Sequence, residues 1–203
     1  MRFTSLDAVA SFLEALPPRP HRRIIGIAGQ PGAGKSTFAE KLSTRMGWAL
    51  LPMDGFHLAQ ARLVELGRRD RMGAPDTFDV PALVQTLADL RVSRGPVFAP
   101  SFDRSNEEST PNAIEIQPER DVVLEGNYLL CDEGGWPEVA PLLDTVFYIE
   151  LDNAARQSRL IERHERFGKS PEAARNWAFG PDEANAALIA GTARRADHIV
   201  QLD

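Results

Sequence analysis

Short continuous apolar runs alternate along the chain with longer stretches in which apolar residues recur every three or four positions. The runs are IIGIA (24–28), WALLPM (48–53), VVL (122–124), TVFYIEL (145–151) and DHIVQL (197–202). Rich in β-branched residues and bounded by glycine or charge, each reads as a strand buried on both faces. Between them lie helical patterns. Over 4–16, Leu6, Val9, Leu13 and Leu16 keep helical spacing, with Thr4 placed to cap and Asp7 as its capping-box partner. Prolines in 17–23 end that helix. Further helices are predicted over 35–46, near 57–66, and in a long charged stretch after Asp152, with Asp152 as its cap. Five strands separated by helices predict an α/β fold, a mainly parallel sheet covered on both faces. FAPSF (98–102) and AIEIQ (113–117) flank a polar stretch and predict a hairpin within 97–117, a flap beside the site. The sequence shows no repeat, no low-complexity tract and no long linker.

Composition narrows the class. A chain of 203 residues with 43% hydrophobic content is expected to form one domain, 1–203, with 1–22 as an amino-terminal helix and connection. The lone Cys131 forms no intrachain disulfide and fits a reducing cytoplasm. Asp7 and Glu14 interrupt what would be a leader, and no apolar run approaches the ~18 residues of a membrane span, so no membrane insertion is expected. With 29 acidic against 23 basic residues the net charge is −6, which disfavours a nucleic-acid partner.

The chemistry begins directly after the first strand, where GQPGAGKS (29–36) satisfies G-x-x-x-x-G-K-[ST] between a strand and a helix. Glycines let backbone N–H groups turn inward around phosphate oxygens, Lys35 adds a point charge, and the following helix contributes the positive end of its dipole. Gly29, Gln30, Pro31, Gly32, Ala33, Gly34, Lys35, Ser36 and Thr37 are therefore the candidate nucleotide-binding residues, with Ser36 supplying an oxygen to Mg²⁺. The ligand class is a nucleoside triphosphate, since G-x-G-x-x-G of a dinucleotide site is not met.

In an open parallel sheet, residues just past the strand ends face one crevice, and this rule converges Gly29, Asp54, Glu125 and Asp152. Asp152 is accounted for as a helix cap; Asp54 and Glu125 fit the two acids that phosphoryl transfer needs, one for the metal and one for the acceptor proton. Arg156, Arg159, Arg163 and Arg166, spaced 3, 4 and 3, share an arc of about 80° on the charged helix. The central pair suits a lid over the triphosphate. The outer pair reads as a solvated face with Glu162 and Glu165 as helix ion-pair partners. His164, Cys131, Trp48, Trp136 and Trp177 read as packing residues.

Together these motifs resemble the P-loop small-molecule kinases that include phosphoribulokinase, uridine kinase and bacterial pantothenate kinase. The likeness spans 23–203. It rests on GQPGAGKST, DGFH (54–57), GAPDTFD (73–79), P-x-F-D (100–103), VLEG (123–126) and R-L-x-x-R (159–163). LEGNYLL and the late DEANAALI (182–189) are shared in particular with bacterial proteins described as fructose transport system kinases. The resemblance implies a three-layer P-loop NTPase fold with a five-stranded, mainly parallel sheet, a helical lid at 152–169 and the hairpin flap. It implies ATP and Mg²⁺ as cofactors and a small-molecule alcohol as acceptor, most plausibly a sugar, with a homodimer compatible. By the same resemblance Lys35, Asp54, Arg159 and Arg163 are catalytic, with Asp54 the base. Ser36 and Glu125 hold the metal, and Asp54, His57, Asp79, Phe102 and Arg104 meet the acceptor. A uridine kinase pattern expects tyrosine at Phe102 and histidine and arginine at Glu107 and Ser109, so nucleoside recognition is not implied. A nucleoside or pantothenate kinase, and a non-catalytic nucleotide-binding regulator of a transport system, remain the alternatives.

Overall fold

The computed structural model describes residues 1–202. Its strands are β1 (Arg2–Phe3), β2 (Ile24–Gly29), β3 (Ala49–Pro52), β4 (Val97–Asp103), β5 (Glu108–Ile116), β6 (Val122–Glu125), β7 (Thr145–Glu150) and β8 (His198–Gln201). The helices are α1 (Leu6–Glu14), α2 (Lys35–Met46), α3 (Gln60–Glu65), α4 (Val80–Val92), α5 (Asn153–Arg166), α6 (Pro171–Phe179) and α7 (Pro181–Ala190). Six strands form one parallel sheet in the order β1-β8-β7-β2-β6-β3, and β4 and β5 pair antiparallel as a separate hairpin. The fold is thus α/β with the expected hairpin, but the sheet has six strands rather than five. The added strand, Arg2–Phe3, pairs with Ile199 and Val200 of β8. Two residues are too few to display a period, which is why the pattern misses it.

Two cores follow from alternation along the strands. Ile24, Ala28, Val122, Leu124, Val146 and Tyr148 point to one face, where they meet Leu83, Leu87 and Leu90 of α4. Ile25, Ile27, Val123, Phe147 and Ile149 point to the other, against Val9 and Leu13 of α1 and Phe38 and Leu42 of α2. Both faces are covered at the sheet's centre, so β2 and β6 are buried throughout rather than alternating with exposed residues. At α1 the cap is Ser5, whose side chain accepts from the Ala8 amide, rather than Thr4. Helix and cap therefore start one residue later than the apolar spacing suggested, and the Asp7 pairing does not arise. Asp152 caps α5 as expected, accepting from the Ala154 and Ala155 amides at 2.9 and 3.2 Å. No helix of the described residues is long and apolar enough to cross a membrane.

Candidate active site

The chain leaves β2 at Gly29, curls through 30–34 and enters α2 at Lys35. The curl needs glycine at Gly34, the α2 cap, whose φ of 91° is left-handed. Gly32 is required by contact as well as by its φ of 79°: a Cβ there would fall 2.6 Å from the Arg156 carbonyl oxygen, so the loop lies flush against α5. The Lys35 ammonium donates to the Gln30 carbonyl at 2.9 Å. Burial lowers its pKa to about 8, although Glu125 and Asp54 favour the charged form. Ser36 and Thr37 remain exposed at the first turn of α2, facing a groove of about 470 Å³ that also touches Arg159, Arg163 and Arg166. A neighbouring, more apolar hollow is walled by Leu6, Phe38 and Leu202.

Strand register carries the acids to this loop. Glu125, the last residue of β6, pairs with Ile27 of β2 on one side and Pro52 of β3 on the other, so its carboxylate stands between the loop and Asp54. Glu125 is 7% exposed; burial pushes its carboxyl up to about 7, against the pull of Lys35 and a hydrogen bond with Ser36. Asp54 lies in the 3₁₀ turn Met53–Phe56. There, a Cβ on Gly55 would sit 2.2 Å from the Pro100 carbonyl oxygen, which shows how closely the turn abuts the hairpin. Arg104 of the hairpin connection pairs with the Asp54 carboxylate. Burial raises the Asp54 pKa, but Arg104, with His57, Lys35 and Arg163, outweighs it and leaves the group below the usual carboxylate range.

Beyond Asp54 the wall turns aromatic. His57 donates from Nδ1 to the Asp54 carbonyl (2.8 Å) and lies between Phe78 and Phe102, its ring centroid 4.0 and 4.6 Å from theirs. The segment carrying Phe78 is pinned by Tyr128, whose hydroxyl donates to the Gly73 carbonyl at 2.5 Å, and by Trp136, whose indole N–H donates to the Pro75 carbonyl at 3.1 Å. One cleft of about 160 Å³ touches Lys35, Ser36, Asp54, His57, Phe102, Arg104, Glu125 and Arg163 together. Asp79, expected at the acceptor, is not on this wall. Its carboxylate caps α4 by accepting from the Ala82 amide, and its own amide donates to the Phe56 carbonyl, so it braces the His57 turn from outside. Residues without a predicted role join the wall: Asn127, Asp182, Asn185 and Trp177, the last expected only to pack. Asn127 sits inside LEGNYLL and the next two inside DEANAALI, so the motif letters were visible while their placement was not.

The four arginines of α5 fall into different environments. Arg163 borders both the cleft and the phosphate groove, and burial lowers its pKa. Arg159 is exposed beside Gly34 and Thr37, and Arg166 is exposed at the groove's outer end. Arg156 overturns the solvated reading: it is 0% exposed and donates to Glu183 at 2.6 Å, fastening α5 to α7. Glu162 and Glu165 are exposed and, among the described residues, join no ion pair; Glu162 instead accepts from Ser158.

The family model for the phosphoribulokinase / uridine kinase family matches residues 24–202. Uncharacterized protein YggC of Escherichia coli (strain K12) is 31% identical over 191 residues, 90% of this chain and 79% of that protein. Pantothenate kinase of Rhodopseudomonas palustris (strain BisB5) is 30% identical over 154 residues, covering 69% of this chain; the chain spans about half of that relative, 48%. A crystal structure from Silicibacter sp. TM1040, provisionally named a fructose transport system kinase, superimposes with a TM-score of 0.89 at 35% identity, over 97% of this chain and 98% of that one. The chain belongs to the phosphoribulokinase / uridine kinase family of P-loop kinases.

Proposed function

We propose that this chain transfers the γ-phosphoryl group of ATP to a hydroxyl of a neutral, polyhydroxylated small molecule, a sugar fitting the site best. The observation that carries the reading is the shared cleft, where phosphate-loop residues Lys35 and Ser36 meet Asp54 and the aromatic wall around His57. Backbone N–H groups of 32–37, beyond Pro31, and the Lys35 ammonium bind the β and γ phosphates. Ser36 and Glu125, oxygen donors that line the same cleft, suit Mg²⁺. An ion held by Ser36 and Glu125 would supply neutralisation of the triphosphate's negative charge.

Asp54 orients the acceptor hydroxyl and takes its proton as the new O–P bond forms and the β,γ-bridging bond breaks. Its low pKa is compatible with that role, because in a loose transition state proton loss is late and orientation matters more than basicity. Arg163 is placed to neutralise charge on the transferring group. Residues 152–169 serve as the lid and 97–117 as the flap of one catalytic unit.

Charge selects the acceptor class. Lys35 and Arg163 face the phosphate groove, and Arg104 is engaged with Asp54. At the far end the wall adds the Asp182 carboxylate, the amides Asn127 and Asn185, and the aromatic side chains of Phe78, Phe102 and Trp177, while Glu107 is engaged with Arg69. A neutral polyol finds acceptors for its hydroxyls and apolar surface for its C–H bonds, whereas an anion at this end would meet the Asp182 carboxylate. The kinase name of the Silicibacter protein supports the same class. The test is acceptor-dependent ADP release with Mg²⁺ and ATP across D-fructose, other hexoses and pentoses, nucleosides and pantothenate. A sugar is expected to give release that Lys35→Ala removes. ATP binding by folded protein with release for none of them would favour the regulator.

A further inference from the structure

The DEANAALI stretch (182–189) takes no part in the transfer step itself, yet its first turn forms the far wall of the cleft. Asp182 and Asn185 stand three residues apart on α7 and so share a face. Asp182 is 8% exposed, and one of its carboxylate oxygens is held by Nε2 of His164 at 2.6 Å. The Asn185 carboxamide, like that of Asn127 on the same wall, has no hydrogen-bond partner among the described residues. The turn is fixed from behind. Gln30 of the phosphate loop donates to the Ala186 carbonyl at 3.2 Å, and Arg156 and Gln157 of α5 both reach Glu183. A nearly buried carboxylate with unused acceptor capacity, next to free carboxamides on a rigid element, is a site built for hydroxyl donors.

We propose that Asp182 and Asn185 hold the non-reacting hydroxyls of the acceptor and thereby set its specificity, with His164 as the positioning residue behind Asp182. This rests on the kinase reading and deepens it. His164 directly follows Arg163, which borders the phosphate groove. Seating a hydroxyl on Asp182 therefore steadies, through His164, the turn of α5 that carries Arg163 to the γ phosphate. Acceptor occupancy and the placement of the catalytic arginine are then linked by a single hydrogen bond.

Initial-rate kinetics of the full chain test this, using whichever of D-fructose, D-ribose, uridine and pantothenate it phosphorylates; all carry hydroxyls beyond the reacting one. Asp182→Asn should raise the acceptor KM by ~10- to 100-fold while the ATP KM moves less than about twofold, the range for hydrogen bonds to a charged group. Asn185→Ala breaks no internal bond, guards against a folding artefact, and should raise the acceptor KM by ~5-fold or more. His164→Ala should lower kcat as well as raise the acceptor KM, and His164→Gln, which keeps a donor at that position, should recover most of both. Unchanged acceptor KM in the Asp182 and Asn185 variants, or an equal shift in the ATP KM, overturns the proposal. Turnover of uridine or pantothenate in place of a sugar overturns the sugar reading alone, and the KM shift for that acceptor still decides the role of Asp182. Turnover of none of the four overturns both.

Discussion

At its phosphate end the cleft is built on one contiguous stretch of chain, the loop and first turn of α2, faced by the arginines of a single helix, α5, whereas its acceptor end is assembled from side chains of six separate segments: the Asp54 turn, the Phe78 segment, the hairpin, Asn127, Trp177 of α6, and α7. The first end recognises a group common to all triphosphates, so loop N–H groups, one lysine and the α5 arginines serve it. The second must distinguish one small alcohol from another, which takes side chains of chosen shape and polarity. A lesion in the first should weaken the reaction with every acceptor alike. One in the second should depend on the acceptor.

The largest effect is expected where the ends meet. Arg163→Ala removes the one α5 arginine that borders both groove and cleft and should lower kcat by ~10³- to 10⁵-fold, the range of an arginine finger, with little change in ATP affinity. Single-turnover rates beside calorimetric ATP titrations would show it. Asp54→Asn comes next, with a fall of ~10²- to 10⁴-fold and retained ATP binding, since the amide keeps the shape but takes no proton. Loss of ATP binding in the folded Asp54 variant would move Asp54 to the phosphate end and erase the division between the two.

Arg156→Ala should act on stability instead. Removing a fully buried side chain leaves a void against the phosphate loop, while the part-exposed Glu183 keeps its bond from Gln157. A cost of ~2 kcal/mol, lowering the melting temperature by roughly 4 to 8 °C, is expected, chiefly from lost packing. Turnover per folded molecule should survive far better than in Arg163→Ala.

The contrast between the ends is also one of legibility. Gly29–Ser36 could be read from the sequence because the phosphate site is local: residues adjacent in the chain are adjacent in space, and the spacing is the geometry. Glu125 and Asp54 were reachable by one further rule, that strand ends converge, and β-register bears out their proximity. The acceptor end has no such rule. Asp79 and Asp182 are both acids at the amino-terminal end of a helix, yet Asp79 caps its helix outside the cleft while Asp182 lines it. Only the packing of α4 and α7 separates them. The arginine stripe shows the same limit within one helix: periodicity gives a shared face, but whether that face meets protein, ligand or water depends on α7, which the helix's own sequence does not encode. Arg156 is therefore buried and Arg166 exposed at the two ends of one stripe.

Phe102→Ala probes the acceptor end alone. The Phe102 ring packs on His57 with centroids 4.6 Å apart and does not line the triphosphate groove, and its loss should cost about 1 kcal/mol of acceptor binding, a rise in acceptor KM of ~5-fold. The ATP KM should stay within about twofold. A sugar whose C–H face lies on this ring should feel the change more than an acyclic alcohol, so the ratio of the two KM shifts measures how far the wall selects rings.

The smallest effect belongs to Arg166, and it is informative for that reason. Arg166 lies on the arc that holds Arg163, one turn farther along α5, and borders the groove only at its exposed outer end beside Phe167. It takes part in no ion pair among the described residues, and solvent screens its charge. Arg166→Ala should therefore change stability by no more than about 0.5 kcal/mol and turnover by less than about twofold. Arg159, nearer the loop beside Gly34 and Thr37, should fall between Arg166 and Arg163, weakening ATP binding more than it slows transfer. Initial rates at saturating and limiting ATP for the three alanine variants would order them. A graded series running 163, 159, 166 means that the field at the γ phosphate, not the common stripe, decides what each arginine does. An Arg166 effect as large as that of Arg163 would mean instead that α5 moves inward as a whole during turnover, bringing its outer end onto the phosphates.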